Sequence, residues 1–338
     1  MWLLENRTPY AAERTWVLDK DAVKSWIVAV KGTFNILPDG TTQIAEEQEE
    51  VLFLPRYYGE DGTSSIEYEA DLIPSKQATD ILINGKAHAP ESKPSRKVTV
   101  GFKIQDITKS IVVHGDRRWE TGLFGMTISK PKPFISMPIS YERAFGGTDT
   151  FSENPKKQGM EFRNPIGTGF ATQKKHLRGQ PLPNIEYTKE RISSWKDRPK
   201  PAGFGAVSSY WTPRKEYAGT YDDKWQKERF PLFPEDFDET YYQCAPEDQQ
   251  VPGFLKGGEP VELVNFTRDG MLFFRLPELT FKFETYFGKK KETHGGNLST
   301  VIIEPEHPRV IMVWHTSLAC HHLVDKLDTT VIRCSEYL

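Results

Sequence analysis

The sequence predicts a mainly β protein whose antiparallel, sandwich-like sheets take strands from both ends of the chain. Three observations carry this. Short runs rich in β-branched and aromatic residues recur in the first and last thirds, each bounded by Pro, Gly, Asn or Asp. No sustained helical pattern separates them. The stretch from Tyr141 to Gly270 is crowded with Gly, Pro and aromatic residues and has almost no period of 2 or 3.6. Long irregular segments in a compact chain are usually functional or disordered. Here the density of Trp, Tyr and Phe argues for order, because such residues bury large apolar areas. The expectation is one domain over 1–338: a β part at 1–140, an irregular insertion at 141–260 laid over the sheets, and a second β part at 261–338, with a few short helices.

The elements follow in order. Trp26 to Leu37 alternates and ends in Pro38-Asp39-Gly40, and an extended run restarts at Thr42 to Ala45, which together predict a hairpin. Glu46 to Glu50 is an acidic turn. Ile66 to Leu72, Asp80 to Ala89, Lys97 to Asp106 and Lys109 to Trp119 are further extended runs. Within the last, Gly115-Asp116 marks a bulge or turn. Asp116 reads there as half of a buried pair with an Arg or as an active-site acid, the plainer alternative being a surface basic pair. Helices are expected at Thr188 to Asp197, with Thr188 as cap, and at Glu235 to Gln243, started by Pro234. Val261 to Phe266 and Met271 to Leu276 flank the turn Arg268-Asp269-Gly270. Thr280 to Tyr286, a Leu298 to Glu304/Arg309 to Thr316 pair, a short helix in Ser317 to Leu327 and a strand at Thr329 to Cys334 complete the chain.

Composition excludes several classes. Lys and Arg number 44 against 47 Asp and Glu, a net charge of -3 that gives no bias toward nucleic acid or membrane surfaces. No run approaches the roughly 18 apolar residues of a membrane helix. The first residues, MWLLENRTPYAAERT, lack the basic start and apolar core of a signal peptide. Three widely spaced cysteines, Cys244, Cys320 and Cys334, point to a reducing, cytoplasmic setting.

Catalytic and cofactor motifs are missing. There is no GxSxG elbow, GxGxxG or P-loop. His315, Cys320, His321 and His322 supply metal-ligand types without the spacing zinc sites use, so no metal is expected. Asp222, Asp223, Asp236 and Asp238, beside Tyr221, Trp225 and Phe237, form the one carboxylate cluster from which a glycan hydrolase could be argued. Such residues near Pro and aromatic turns are ordinarily caps. Between Lys174 and Arg229 lie 13 Lys/Arg against 7 Asp/Glu with interspersed aromatics, but the charges are scattered and nucleic-acid binding is not expected. What remains is a docking surface, because Gly and Pro pre-order a backbone while Trp, Tyr and Arg dominate interfaces. The candidate contacts, chosen as exposed anchors, are Trp211, Arg214, Tyr221, Trp225, Arg229 and Phe237.

YERAFGG (141–147), NPIGTGF (164–170), LPNIE (182–186), PAGFGAV (201–207) with its W-x-PR, AGTYDDKW (218–225), RFPLFPEDFD (229–238), and GGEPVEL (257–263) followed by NFTRDG (265–270) resemble, in that order, the family called domain of unknown function 2169. SSIEYEADL (64–72), DILING (80–85) and HGDRRW (114–119) resemble its N-terminal signature, so the likeness spans about residues 3 to 315. The resemblance implies a bacterial, non-enzymatic adaptor or chaperone of type VI secretion. Such a protein binds a toxic effector in the cytoplasm of a Gram-negative cell and helps load it onto the VgrG/PAAR spike. It implies no catalytic residue, cofactor or metal.

Overall fold

The computed structural model describes residues 2–123 and 125–336. Three sheets dominate it. The largest has seven strands in the order Gln250–Pro252, Ala78–Ile83, Asn297–Glu304, Arg309–Ala319, Lys24–Ile36 and Ala11–Leu18, with Thr42–Ile44 also paired to Lys24–Ile36. Its centre joins distant parts of the chain. Lys24–Ile36 runs antiparallel to Arg309–Ala319, with Ala29 opposite His315. Ala78–Ile83 runs parallel to Asn297–Glu304. A five-stranded sheet orders Ile185–Tyr187, Ile107–His114, Lys97–Ile104, Pro260–Val264 and Met271–Arg275. A four-stranded sheet orders Leu3–Asn6, Leu327–Glu336, Leu279–Phe287 and Lys290–Gly295.

Period-2 alternation in the central strands explains how these sheets pack. Trp26, Val28 and Val30 project to one side with Ile81, Ile83, Val301, Ile303, Val310, Met312 and Trp314. There they meet Phe102, Ile111 and Leu263 of the five-stranded sheet and Phe281, Phe283 and Ile332 of the four-stranded one. Each such side chain contributes about 1.5–3 kcal/mol when fully buried. The alternate positions make a different surface. Leu82, Ile302 and Ile311 pack there with Ile66 and Tyr68, but Lys31, Asp80, Glu304 and His315 are buried on the same side. The central sheet therefore has one apolar face and one face rich in buried charge.

The architecture is the mainly β one expected, and the hairpins at 34–44, 260–275 and 297–319 form as read. Several elements differ. Leu3–Asn6, Ala11–Leu18 and Lys290–Gly295 are strands that the pattern did not single out. The extended run expected over Asp80 to Ala89 breaks after Ile83, where Asn84 Nδ2 donates 2.8 Å to the Glu67 carbonyl. The helix expected at Thr188 to Asp197 is absent. The Asp197 carboxylate accepts the backbone N–H groups of Ser193 and Ser194, at 2.8 and 2.7 Å, and the Ile192 N–H reaches Glu186, so side chains take the donors a helix needs. The helix expected at Glu235 to Gln243 shrinks to a 3-10 turn at Glu239–Tyr242, capped by Asp238. Among the described residues two short α-helices occur, Arg214–Tyr217 and Asp223–Glu228. Near the end, the strand continues to Ala319 and only His321–Lys326 is a 3-10 turn.

Candidate protein-interaction site

The motif-rich middle is knitted together by backbone contacts that demand particular residues. Asn164 is fully buried, and its Nδ2 donates to the carbonyls of Tyr141 (2.7 Å) and Phe145 (3.1 Å). Gly146, at φ +156, lies so close that a side chain would begin 2.1 Å from the Asn164 carbonyl oxygen. Phe145–Gly146 pairs with Thr168–Gly169, and the Thr168 hydroxyl donates to the Glu142 carbonyl at 2.8 Å. YERAFGG and NPIGTGF are thus two halves of one structural joint. LPNIE joins them, because Asn184 accepts from Arg143 (3.1 Å) and donates to the His114 carbonyl (3.1 Å).

The charged face of the central sheet fastens the neighbouring loops. Lys76 lies 2.6 Å from Asp80 and donates to Thr300 Oγ1 at 2.8 Å. Asp80 also accepts from Gln243 Nε2 and from the Cys244 N–H, both at 2.8 Å. Burial opposes the charge on Lys76, but Asp80 and the neighbouring Cys244 outweigh it and raise its pKa. Lys31 pairs with Asp71 at 2.9 Å, and Asp71 accepts the Leu52 N–H at 2.8 Å. Arg309 bridges Glu304 and Glu49, while Tyr68 donates to Glu304. On the five-stranded sheet, Lys109 is buried against Asp248 (2.8 Å) and Gln249 (2.6 Å), and burial lowers its pKa to about 8.

On this framework the six expected contacts separate into two groups. Trp211, Arg214 and Phe237 are buried, which corrects the expectation that they are exposed anchors. Trp211 packs edge-on against Tyr141 at 5.3 Å. Arg214 pairs with Glu69 at 2.6 Å and donates to the Val207 and Tyr241 carbonyls. Phe237 stacks on Phe233 at 4.4 Å. These three residues use their size and hydrogen bonds internally.

Tyr221, Trp225 and Arg229 sit together on the surface around Asp223–Glu228. Tyr221 is 52% exposed and lies 4.7 Å from the half-buried Trp225 ring. Phe230, which the sequence did not single out, is 67% exposed and 5.7 Å from Trp225. The triad is held from beneath. Asp222 caps the helix by accepting the Trp225 N–H (2.8 Å), and Trp225 Nε1 donates to the Leu232 carbonyl (2.8 Å). Arg229 donates to the Phe233 carbonyl at 3.1 Å and to the Lys20 carbonyl, which ties the segment to the first β region. Nothing local in the sequence separates the exposed Phe230 from Phe233 three residues on, which packs on Phe237.

A separate cleft of about 1380 Å³ lies where HGDRRW, YERAFGG, LPNIE and the Glu304–Arg309 corner meet. Its lining mixes both charges, among them Asp116, Arg118, Lys132, Glu142, Arg143 and Glu304. The sequence offered Asp116 as half of a buried pair or as an active-site acid, and the buried-pair reading is corrected. Asp116 is exposed, 3.9 Å from Arg143, whereas the neighbouring Arg117 is buried and binds Glu186 at 2.6 Å. Gly115 fixes this arrangement, since a Cβ there would lie 1.7 Å from the Lys132 carbonyl oxygen.

Of the four clustered carboxylates, Asp223 is exposed and the other three are locally engaged. Asp222 and Asp238 are helix caps, and Asp236 accepts from the Thr220 N–H and hydroxyl at 2.9 and 2.7 Å. His315 is buried, with Nε2 donating to the Ile73 carbonyl, and burial lowers its pKa to about 4. The Cys320 thiol donates to the Leu318 carbonyl at 3.3 Å, and His321 is exposed. The side chain of His322 lies outside the described residues. Among the described residues no group of three or more His, Cys, Asp or Glu is placed to hold a metal ion. Nor is any helix among them long and apolar enough to cross a membrane.

A family model described as "Uncharacterized protein conserved in bacteria (DUF2169)" matches residues 21–315. No curated protein and no solved structure matches the chain.

Proposed function

This chain belongs to the DUF2169 family, and on that premise we propose that it is a non-enzymatic adaptor or chaperone of type VI secretion. It binds an effector protein in the bacterial cytoplasm and helps load it onto the VgrG/PAAR spike. The observation that supports this reading best is the ordered, outward-facing triad Tyr221, Trp225 and Phe230. Aromatic side chains held rigid before binding lose little entropy on association and are the usual anchors of protein interfaces. The glycan-hydrolase alternative draws less support, because three of its carboxylates, Asp222, Asp236 and Asp238, already serve as caps and turn acceptors.

Co-purification tests the proposal. The tagged protein is expressed with the effector encoded beside it and with the matching VgrG and PAAR proteins. Recovery of the effector, alone or with a spike component, is the expected result. Recovery of neither from cells that express all of them refutes the adaptor reading.

A further inference from the structure

The surface around the aromatic triad has a charge as well as a shape. Between residues 218 and 238 there are six carboxylates against three cations. Of the cations, Arg229 is turned inward to the Phe233 and Lys20 carbonyls. Lys224 is shared between Glu228 (4.0 Å) and Glu235 (3.8 Å), and Lys227 is exposed. Asp236 and Asp238 are held below the ordinary carboxylate pKa, chiefly by hydrogen bonds from Thr220 and Thr240. Asp19-Lys20-Asp21, whose Lys20 carbonyl Arg229 binds, adds 1 minus 2, or -1, at the same edge. This 21-residue segment carries a net charge of 3 minus 6, or -3, which equals that of the whole chain.

We propose that Tyr221, Trp225 and Phe230 dock a protein segment whose apolar side chains are flanked by Lys and Arg. The apolar side chains cover the three rings, and the flanking cations meet Glu228, Glu235 and their neighbours. Complementary charge of this kind steers encounter and rejects polyanions, so phosphate backbones and anionic headgroups are disfavoured at this face. The inference rests on the adaptor reading and names the chemistry of the partner segment.

Two assays, run on the full chain, separate the inference from that reading. The variants are Tyr221→Ser/Phe230→Ser and Glu228→Lys/Glu235→Lys, all at exposed positions, and circular dichroism verifies that each folds. In the first assay, a synthetic amphipathic peptide of Leu, Trp and Lys is titrated against the wild type by calorimetry, beside a counterpart with Glu for Lys. The Lys peptide should bind and the Glu peptide should not. The aromatic variant should bind at least about 30-fold more weakly, the loss expected for hot-spot anchors. The charge variant should bind about tenfold more weakly at low salt and show less salt dependence. Equal binding of both peptides, or binding unchanged in both variants, overturns the inference. So does preferential binding of single-stranded DNA or anionic vesicles that the aromatic variant abolishes.

The second assay repeats the effector co-purification with the same variants. Capture by the wild type and loss in both variants supports the inference. Undiminished capture by both overturns it and leaves the adaptor reading standing. If the wild type captures nothing, the adaptor reading falls and the peptide titration decides the inference by itself.

Discussion

Breaking the Lys76–Asp80 pair measures how the central sheet holds its charged face. The side chains are 3% and 0% exposed and 2.6 Å apart. At that distance, with an effective dielectric of about 20, their gross attraction is roughly 6 kcal/mol, much of it offset by the cost of removing both charges from water. Lys76→Met leaves Asp80 with Gln243, the Cys244 N–H and, for counter-charge, the Arg214 guanidinium that is itself paired to Glu69. Asp80→Asn leaves a buried ammonium whose remaining close acceptors are Thr300 Oγ1 and the Cys244 sulfur at 3.8 Å. Each single change should therefore cost about 3–5 kcal/mol. The double variant, which buries neither charge, should cost about 2–3 kcal/mol less than the sum of the two. Urea unfolding of all four proteins at pH 7, followed by tryptophan fluorescence, gives the coupling directly. Additivity within about 0.5 kcal/mol would show that the pair is not the energetic unit described.

Asn164→Ala should destabilise by about 2–4 kcal/mol, because it strips the donor from two carbonyls in a buried joint. A urea-derived loss below about 1 kcal/mol would refute that account. Lys109 gives a pH signature. Its folded pKa of about 8 lies below its ordinary 10.5, so the unfolded chain holds the extra proton between those values and stability rises with pH across that window. Relative to Lys109→Met, the wild type should gain up to about 3 kcal/mol between pH 8 and pH 10.5, measured by urea unfolding at stepped pH. Parallel pH profiles for the two proteins would contradict the assignment.

Much of the strand pattern was legible because both faces of it are local. Residues 260–275 show their turn in Arg268-Asp269-Gly270 and their alternation in five residues on either side. Ala11–Leu18 was not legible, since it is half-buried from Ala11 to Val17, exposed at Leu18, and has no clean apolar face. The helix misread at Thr188 to Asp197 has suitable composition, but Glu186, just before it, and Asp197, at its end, claim its N–H groups. The candidate site divides along the same line. Tyr221 and Trp225 occupy a short segment that turns outward, whereas the fate of Trp211 depended on Tyr141 and that of Arg214 on Glu69, partners 70 and 145 positions away. Composition identifies a residue able to anchor an interface, but only tertiary contacts decide whether it is already occupied.

The joining of both ends of the chain in shared sheets has a consequence for how the protein is made. Lys24–Ile36 needs Arg309–Ala319 beside it, and Leu3–Asn6 lies parallel to Leu327–Glu336. A nascent chain emerging from the ribosome cannot close either sheet until Arg309–Ala319 and Leu327–Glu336 have emerged. Until then, the apolar stripe of Trp26, Val28 and Val30 lacks its cover from the C-terminal region. Contacts of such long sequence separation close slowly and leave edges open to wrong pairing. Closure of the central sheet therefore waits until Arg309–Ala319 has been made. In a co-translational arrest series, protease resistance of the Lys24–Ile36 region should appear only after Arg309–Ala319 has cleared the exit tunnel.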